Sequence, residues 1–247
     1  MAVHDKPMPP LNDWDDLLPY SPKDFSQEQW QQLRVLHENL CRINQQINLT
    51  RLTDLPSFLT QHVLDSWQLC PLIDKQQPEN LIDIGTGGGF PALVLAITYP
   101  ELDVVGVDSV GKKLNAVEQI AQTCGIKNIS CLTGRAEALA QQKQWREQFD
   151  VCTARAVAAL PELLEYVTGF IKPRGHFYAL KTRSAAEKER ISQETLQREL
   201  KLRAVEQHAC ERNGLLENHC ILEFQKLMPL SPSYPRATAQ IKKSPLI

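Results

Sequence analysis

The run Leu81-Ile82-Asp83-Ile84-Gly85-Thr86-Gly87-Gly88-Gly89-Phe90-Pro91 sets four glycines within five positions behind an apolar stretch broken only by Asp83. Crowded glycines let backbone N–H groups close on a ligand with no Cβ in the way. Pro91, its φ pre-set for a first helical turn, predicts a helix over residues 91–99. The N-terminus of such a helix favours anionic groups. Strand, glycine loop and helix in this order make the nucleotide-cradling opening of a doubly wound α/β sheet. A purely structural turn needs one or two glycines, not four.

Two ligand frames fit this loop. Gly87, Gly89 and Ala92 match the dinucleotide fingerprint and hydride chemistry. Asp83, Gly85, Gly87 and Gly89 form an acid-x-Gly-x-Gly-x-Gly frame, which suits a ligand with a cationic end. S-adenosylmethionine has an amino group, a sulfonium and no pyrophosphate for a carboxylate to repel, so the second frame is favoured. Asp108 closes a predicted strand over 103–108, nineteen residues after Gly89 (108 − 89). Acids near that ~20-residue offset take ribose hydroxyls in nucleotide-binding sheets.

Other candidates follow at strand ends. Gly134-Arg135-Ala136-Glu137 closes a third strand (126–132), where an adenine would sit. Arg155 follows a fourth (149–154) and Lys181 a fifth (175–180), placed to hold a substrate phosphate or the cofactor carboxylate. Lys112 and Lys113 lie in the first turn of a predicted helix over 110–124, where the dipole disfavours cations, which suggests an anionic partner. His62 and Asp65 are one helical turn apart, as a structural contact or as lining of the site. No other His or Cys pairs tellingly with an acid.

The 247 residues, 43% hydrophobic and 23% charged, suit one sizeable α/β domain with an appendage. The longest apolar run, Phe90–Ile97, is too short for a bilayer. No basic, apolar, cleavable N-terminal pattern is visible, so a cytoplasmic location without export is expected. Seven cysteines without a C-x-x-C pair read as reduced thiols, and no metal site is expected. Behind a net charge of −2, residues 1–30 are acidic, and residues 172–203 carry nine Lys or Arg against four Glu. The end of the chain is basic, as a nucleic-acid partner would require.

Four segments are expected. Residues 1–24, rich in proline and acids, read as an extended arm. Residues 25–75 read as a helical subdomain capping the sheet, with one helix opened by Ser26 and a second over 56–73. Residues 76–228 hold the sheet. They include a charged outer helix over 185–202 and a closing hairpin (204–210 and 219–227) around Asn213-Gly214. Residues 229–247 read as a basic tail with no core of their own.

Together these residues resemble the small-subunit ribosomal RNA methyltransferase G family (glucose-inhibited division protein B). The matching pieces are Asn48-Leu49-Thr50, His62-Val63-Leu64-Asp65-Ser66, Asp83-Ile84-Gly85-Thr86-Gly87, Asp108-Ser109-Val110-Gly111-Lys112-Lys113 and Arg155-Ala156. Phe177-Tyr178-Ala179-Leu180-Lys181 and Tyr234-Pro235-Arg236 complete them. The resemblance implies a class I, Rossmann-like methyltransferase with a mostly parallel sheet of about seven strands, a C-terminal hairpin and an N-terminal helical cap. It implies methyl transfer from S-adenosylmethionine to N7 of a guanine in small-subunit (16S) ribosomal RNA. The expected partner is that RNA or a ribosomal subunit, and a monomer is expected. Cofactor contacts carried over are Gly85, Phe90, Asp108, Ser109, Val110, Ala136, Glu137 and Arg155; the loop argument adds Gly87 and Gly89. Lys112, Lys113, Lys181, Arg236, Lys242 and Lys243 are the expected RNA contacts, with Arg155, Lys181 and His62 as positioning candidates. Ala92 stands where many members have glycine. Guanine N7 has a lone pair and no proton, so the transfer requires no general base. The competing readings are a nicotinamide-dependent oxidoreductase and a non-catalytic RNA-binding module.

Overall fold

Ile84 pairs in parallel register with both Val107 and Ala154. The residues that follow, Gly85, Asp108 and Arg155, therefore leave three adjacent strands side by side. This juxtaposition arises in a seven-stranded sheet: β1 Asn80–Ile84, β2 Asp103–Asp108, β3 Ile129–Thr133, β4 Phe149–Arg155, β5 Ile171–Thr182, β6 Leu202–Ala209 and β7 His219–Lys226. The computed structural model describes residues 11–22, 24–189, 191–210 and 215–246. Strand order is β3-β2-β1-β4-β5-β7-β6, with β7 antiparallel to β5 and β6 and the other neighbours parallel. The order turns back between β1 and β4, which opens a crevice at the carboxyl ends.

Side chains alternate across the sheet. Leu81 enters the core under the N-terminal helices, whereas Ile82 and Ile84 enter the core under Leu160–Thr168. The helix behind the glycine loop runs Ala92–Thr98 with Pro91 as its N-cap, one position later than expected. The expected hairpin forms from β6 and β7; its Asn213-Gly214 turn lies outside the described residues.

The cap is built as the apolar spacing requires. Helix Gln27–Asn44 starts in a capping box between Ser26 and Gln29, and buries Leu33, Leu36, Leu40 and Ile43. The second cap helix is not uniform: Leu55–Ser57, a π-helical stretch Phe58–Leu64, Asp65–Trp67 and then Cys70–Gln76. Wide turns of this kind often mark functional positions, and His62 lies in this one. The cap is tied to the helix Ala92–Thr98 by Trp67 Nε1 donating to Thr98 Oγ1 at 3.0 Å and Gln29 Nε2 to Ile97 O at 2.7 Å.

Three expectations are corrected here. Residues 11–20 are no extended arm: Leu11, Trp14, Leu17 and Tyr20 are buried around a 3₁₀ turn, Asp15–Tyr20. Their three-residue spacing matches the 3₁₀ period. The charged segment expected as one outer helix is divided into Arg183–Lys188 and residues 193–200, and Leu196 and Leu200 are buried. The basic tail also has a core contact. Its helix Thr238–Lys243 buries Ile241, and Leu230 is buried before it.

Candidate active site

The crevice is one cavity of about 830 Å³ with walls from the glycine loop, the ends of β2, β3 and β4, the cap, and the C-terminal helix. Three glycines of the loop have different duties. A Cβ on Gly85 or Gly89 would lie 2.4 Å from Val157 Cγ2 or Leu93 Cδ1, so these two glycines make room for packing. Gly87, at φ +57°, would meet nothing nearer than Gly85 O at 3.8 Å. That is bare backbone turned to open space. Asp108 fixes the loop: its Oδ2 accepts from Gly87 N at 3.1 Å and its Oδ1 from Val110 N at 2.8 Å. Each oxygen keeps a lone pair for a further donor.

The opposite wall is a chain of contacts between cap and sheet. Arg155 Nη1 donates to Asp65 Oδ2 at 3.0 Å and to Gln61 O at 2.6 Å, while Nη2 lies 3.1 Å from His62 Nδ1. Arginine has only donors, so His62 Nδ1 accepts and the ring proton sits on Nε2, 3.3 Å from Thr50 Oγ1. The His62 ring stacks on Phe90, with centroids 4.0 Å apart and planes at 11°. Asp65 is shared, since its Oδ1 also takes His219 Nδ1 at 2.8 Å. Burial opposes the charge on Asp65, yet His219 and Arg155 hold its carboxyl below the usual range. The same contact raises His219. Asn44 Oδ1 accepts from Leu49 N and Thr50 N, fixing the neighbouring loop.

Burial, with the Arg155 charge next, pushes His62 down to about 3. The unfolded chain takes a proton near pH 6.5 that folded His62 refuses until about pH 3, so its contribution to stability falls as pH drops through that window. Asp83 acts oppositely: burial lifts its carboxyl to about 6, so the fold gains as it is protonated. His62→Gln isolates the first effect. Between pH 7 and pH 5 the parent is expected to lose about 2 kcal/mol more than this variant in urea unfolding. Equal losses would mean that folded His62 is charged.

Of the expected cofactor contacts, Gly85, Gly87, Phe90, Asp108, Ser109, Ala136, Glu137 and Arg155 line the cavity. Gly89 lies behind Leu93. Val110 is 45% exposed but away from the lining. Asp83, which favoured a cationic ligand in the sequence, is fully buried and accepts from Thr153 Oγ1 at 2.9 Å, with no face on the cavity. Its register partner is Thr153, inside the sheet.

Among the expected RNA contacts, Lys113 and Lys242 line the cavity, and Lys112 and Lys243 are exposed outside it. Lys181 is not free for a substrate. Its Nζ donates to Ala158 O at 2.7 Å and Glu189 Oε2 at 2.6 Å, which buttresses the cavity loop after β4. Arg236 forms a two-pronged pair with buried Glu165, at 2.8 and 2.7 Å. Sequence reasoning paired Asp65 with His62 as a structural contact or site lining, but missed His219 as its further partner, and Tyr166, Glu162 and Thr238 as lining. The last three come from the helices Leu160–Thr168 and Thr238–Lys243, which pack on each other over a long sequence separation and so leave no local signature.

The fold is that of the Rossmann-like methyltransferases. Solved structures of that fold include a putative O-methyltransferase from Klebsiella pneumoniae, with a TM-score of 0.55 at 15% identity, covering 80% of this chain and 90% of that one. A SAM-dependent methyltransferase from Aquifex aeolicus gives 0.53 at 13% identity, covering 77% and 98%. The family model described as rRNA small subunit methyltransferase G matches residues 29–217. Ribosomal RNA small subunit methyltransferase G of Thermoanaerobacter sp. (strain X514) is 36% identical over 205 residues, 82% of this chain and 84% of that protein. The protein of the same name from Roseiflexus castenholzii is 36% identical over 223 residues, 90% and 94% of the two chains. The chain belongs to the rRNA small subunit methyltransferase G family. Membership in it disfavours both the oxidoreductase and the non-catalytic reading.

Proposed function

We propose that the protein transfers a methyl group from S-adenosylmethionine to N7 of a guanine in small-subunit (16S) ribosomal RNA. The carrying observation is that bare Gly87 backbone and Asp108 face the same 830 Å³ cavity as the His62–Phe90–Arg155 wall. That volume is in the upper part of the ~300–1,000 Å³ range of small-molecule sites, with room for a base beside a cofactor. The residues fit this methyl donor: Asp108 offers lone pairs to ribose hydroxyls, Gly87 allows close approach, and Glu137 lies on the adenine side. Bound S-adenosylmethionine would supply an electrophilic methyl group on a sulfonium.

The chain's own contribution is positioning and exclusion of water. Guanine N7 brings a lone pair and no proton. In keeping with that, His62 is no free base, because its Nδ1 already accepts from Arg155. Its neutral ring, buried and stacked on Phe90, makes this wall rigid and uncharged beside the space for a splayed-out base, the form in which RNA is best read. Arg155 is committed on its Asp65 side and aims the wall. The reading includes action by a monomer in the cytoplasm, where ribosomal RNA is found; among the described residues no helix is long and apolar enough to cross a membrane.

The test supplies methyl-labelled S-adenosylmethionine with small-subunit RNA, naked or assembled, and then uses borohydride–aniline scission, which cuts at N7-methylguanosine. Label at a cleavable guanine is expected; label confined to other atoms overturns the reading. Lys113, Arg135 and Lys242 line the cavity without an ion pair among the described residues, and they suit RNA phosphates at its mouth. Replacing Lys113, Lys242 and Lys243 by alanine should flatten the log–log salt dependence of RNA binding by roughly two units, at ~0.7 per single-strand contact. Parallel slopes would place the RNA path elsewhere. Arg236 is left out of this set because Glu165 already holds it.

A further inference from the structure

We propose that the helix Thr238–Lys243 is a wall of the cofactor pocket, in which Thr238 is the positioning residue for Glu137; this rests on the cavity being the S-adenosylmethionine pocket. The matched family region ends at residue 217, so this wall comes from chain beyond it. Glu137 is buried at the start of the short helix Ala136–Leu139, directly after β3, and lines the cavity. Thr238 Oγ1 donates to Glu137 Oε1. One carboxylate oxygen is thereby committed to the protein, and the other is left for a donor on a ligand.

The segment that carries Thr238 is held firmly. Arg236 N and Nε donate to Glu165 Oε1 at 2.9 and 2.8 Å, and Nη2 donates to Oε2 at 2.7 Å. The Glu165 side chain is 0% exposed. Arg146 donates to the carbonyls of Tyr234, Leu230 and Ser231, and Gln141 Nε2 to that of Pro235. Thr238 and Lys242 lie four residues apart, hence on one helix face. Both line the cavity, while Ile241 is fully buried. The helix is thus oriented: one face to the pocket, another to the interior.

Titration calorimetry with S-adenosylmethionine tests this on the full chain. Thr238→Val keeps the shape and removes the hydroxyl, and is expected to weaken binding about tenfold, as for a lost hydrogen bond to a charged group. Thr238→Ser is expected to stay within about twofold of the parent. In a Glu137→Gln background the valine should cost about twofold or less, because the two residues act as one unit. Thermal melts without ligand separate these effects from loss of the fold. Valine binding like the parent, serine failing to rescue, or an undiminished loss in the Glu137→Gln background each overturns the proposal. A parent that does not bind S-adenosylmethionine overturns the pocket reading itself and this inference with it.

Discussion

Gly87→Val is expected to abolish methyl transfer while the circular dichroism spectrum stays close to that of the parent. At φ +57° a valine pays for a left-handed backbone, about 1–3 kcal/mol. That cost alone leaves a domain of this size folded. The decisive effect is spatial. With Gly85 O at 3.8 Å the nearest atom, the new side chain projects into space otherwise open to a ligand. Gly85→Ala and Gly89→Ala are useful contrasts, since their Cβ atoms would collide with Val157 and Leu93 and so disturb packing first. Calorimetry with the methyl donor decides the matter: undiminished binding by Gly87→Val would show that the loop makes no close approach.

The second large effect is expected at Asp65. Asp65→Ala removes the carboxylate shared by Arg155 and His219 and leaves a partly buried guanidinium facing a void. Removing one member of a buried ion pair costs about 3–5 kcal/mol, and the cavity left by the side chain adds to it. Asp65→Asn keeps the shape and one acceptor, and should cost less. Urea unfolding measures both. A midpoint for Asp65→Ala that coincides with the parent's would mean that water replaces the carboxylate at no loss. Such a result would also remove the reason for regarding the Arg155–His62 wall as preorganised.

Much of the fold was legible because its signals are local. Residues 81–84 and 103–108 read as strands ending in a glycine loop and an acid, and parallel pairing then sets Gly85 and Asp108 side by side. The stripe Leu33, Leu36, Leu40 and Ile43 announced the cap helix. What failed was long-range pairing. Arg236 reads as a solvated tail cation until Glu165, 71 residues away, is brought beneath it. Lys181 at a strand end reads as a ligand contact until Glu189 closes on it. Asp83 sits one position too deep in β1 to reach the crevice, and that depends on where the strand ends in three dimensions. Leu11, Trp14, Leu17 and Tyr20 did carry a local signal, with period three. Surrounding prolines and acids masked it.

The docked C-terminal segment also has a consequence for biosynthesis. Chains are made from the N-terminus onward, and domains tend to fold as units while they emerge. Every strand of the sheet, from β1 to β7, precedes Arg236 and Thr238 in synthesis. The wall of the crevice that this segment supplies is thus the last part of the site to be made. The pocket is complete only once the segment that Glu165 anchors has been made and docked, so a chain cut short after β7 would carry every strand and lack one wall of its site.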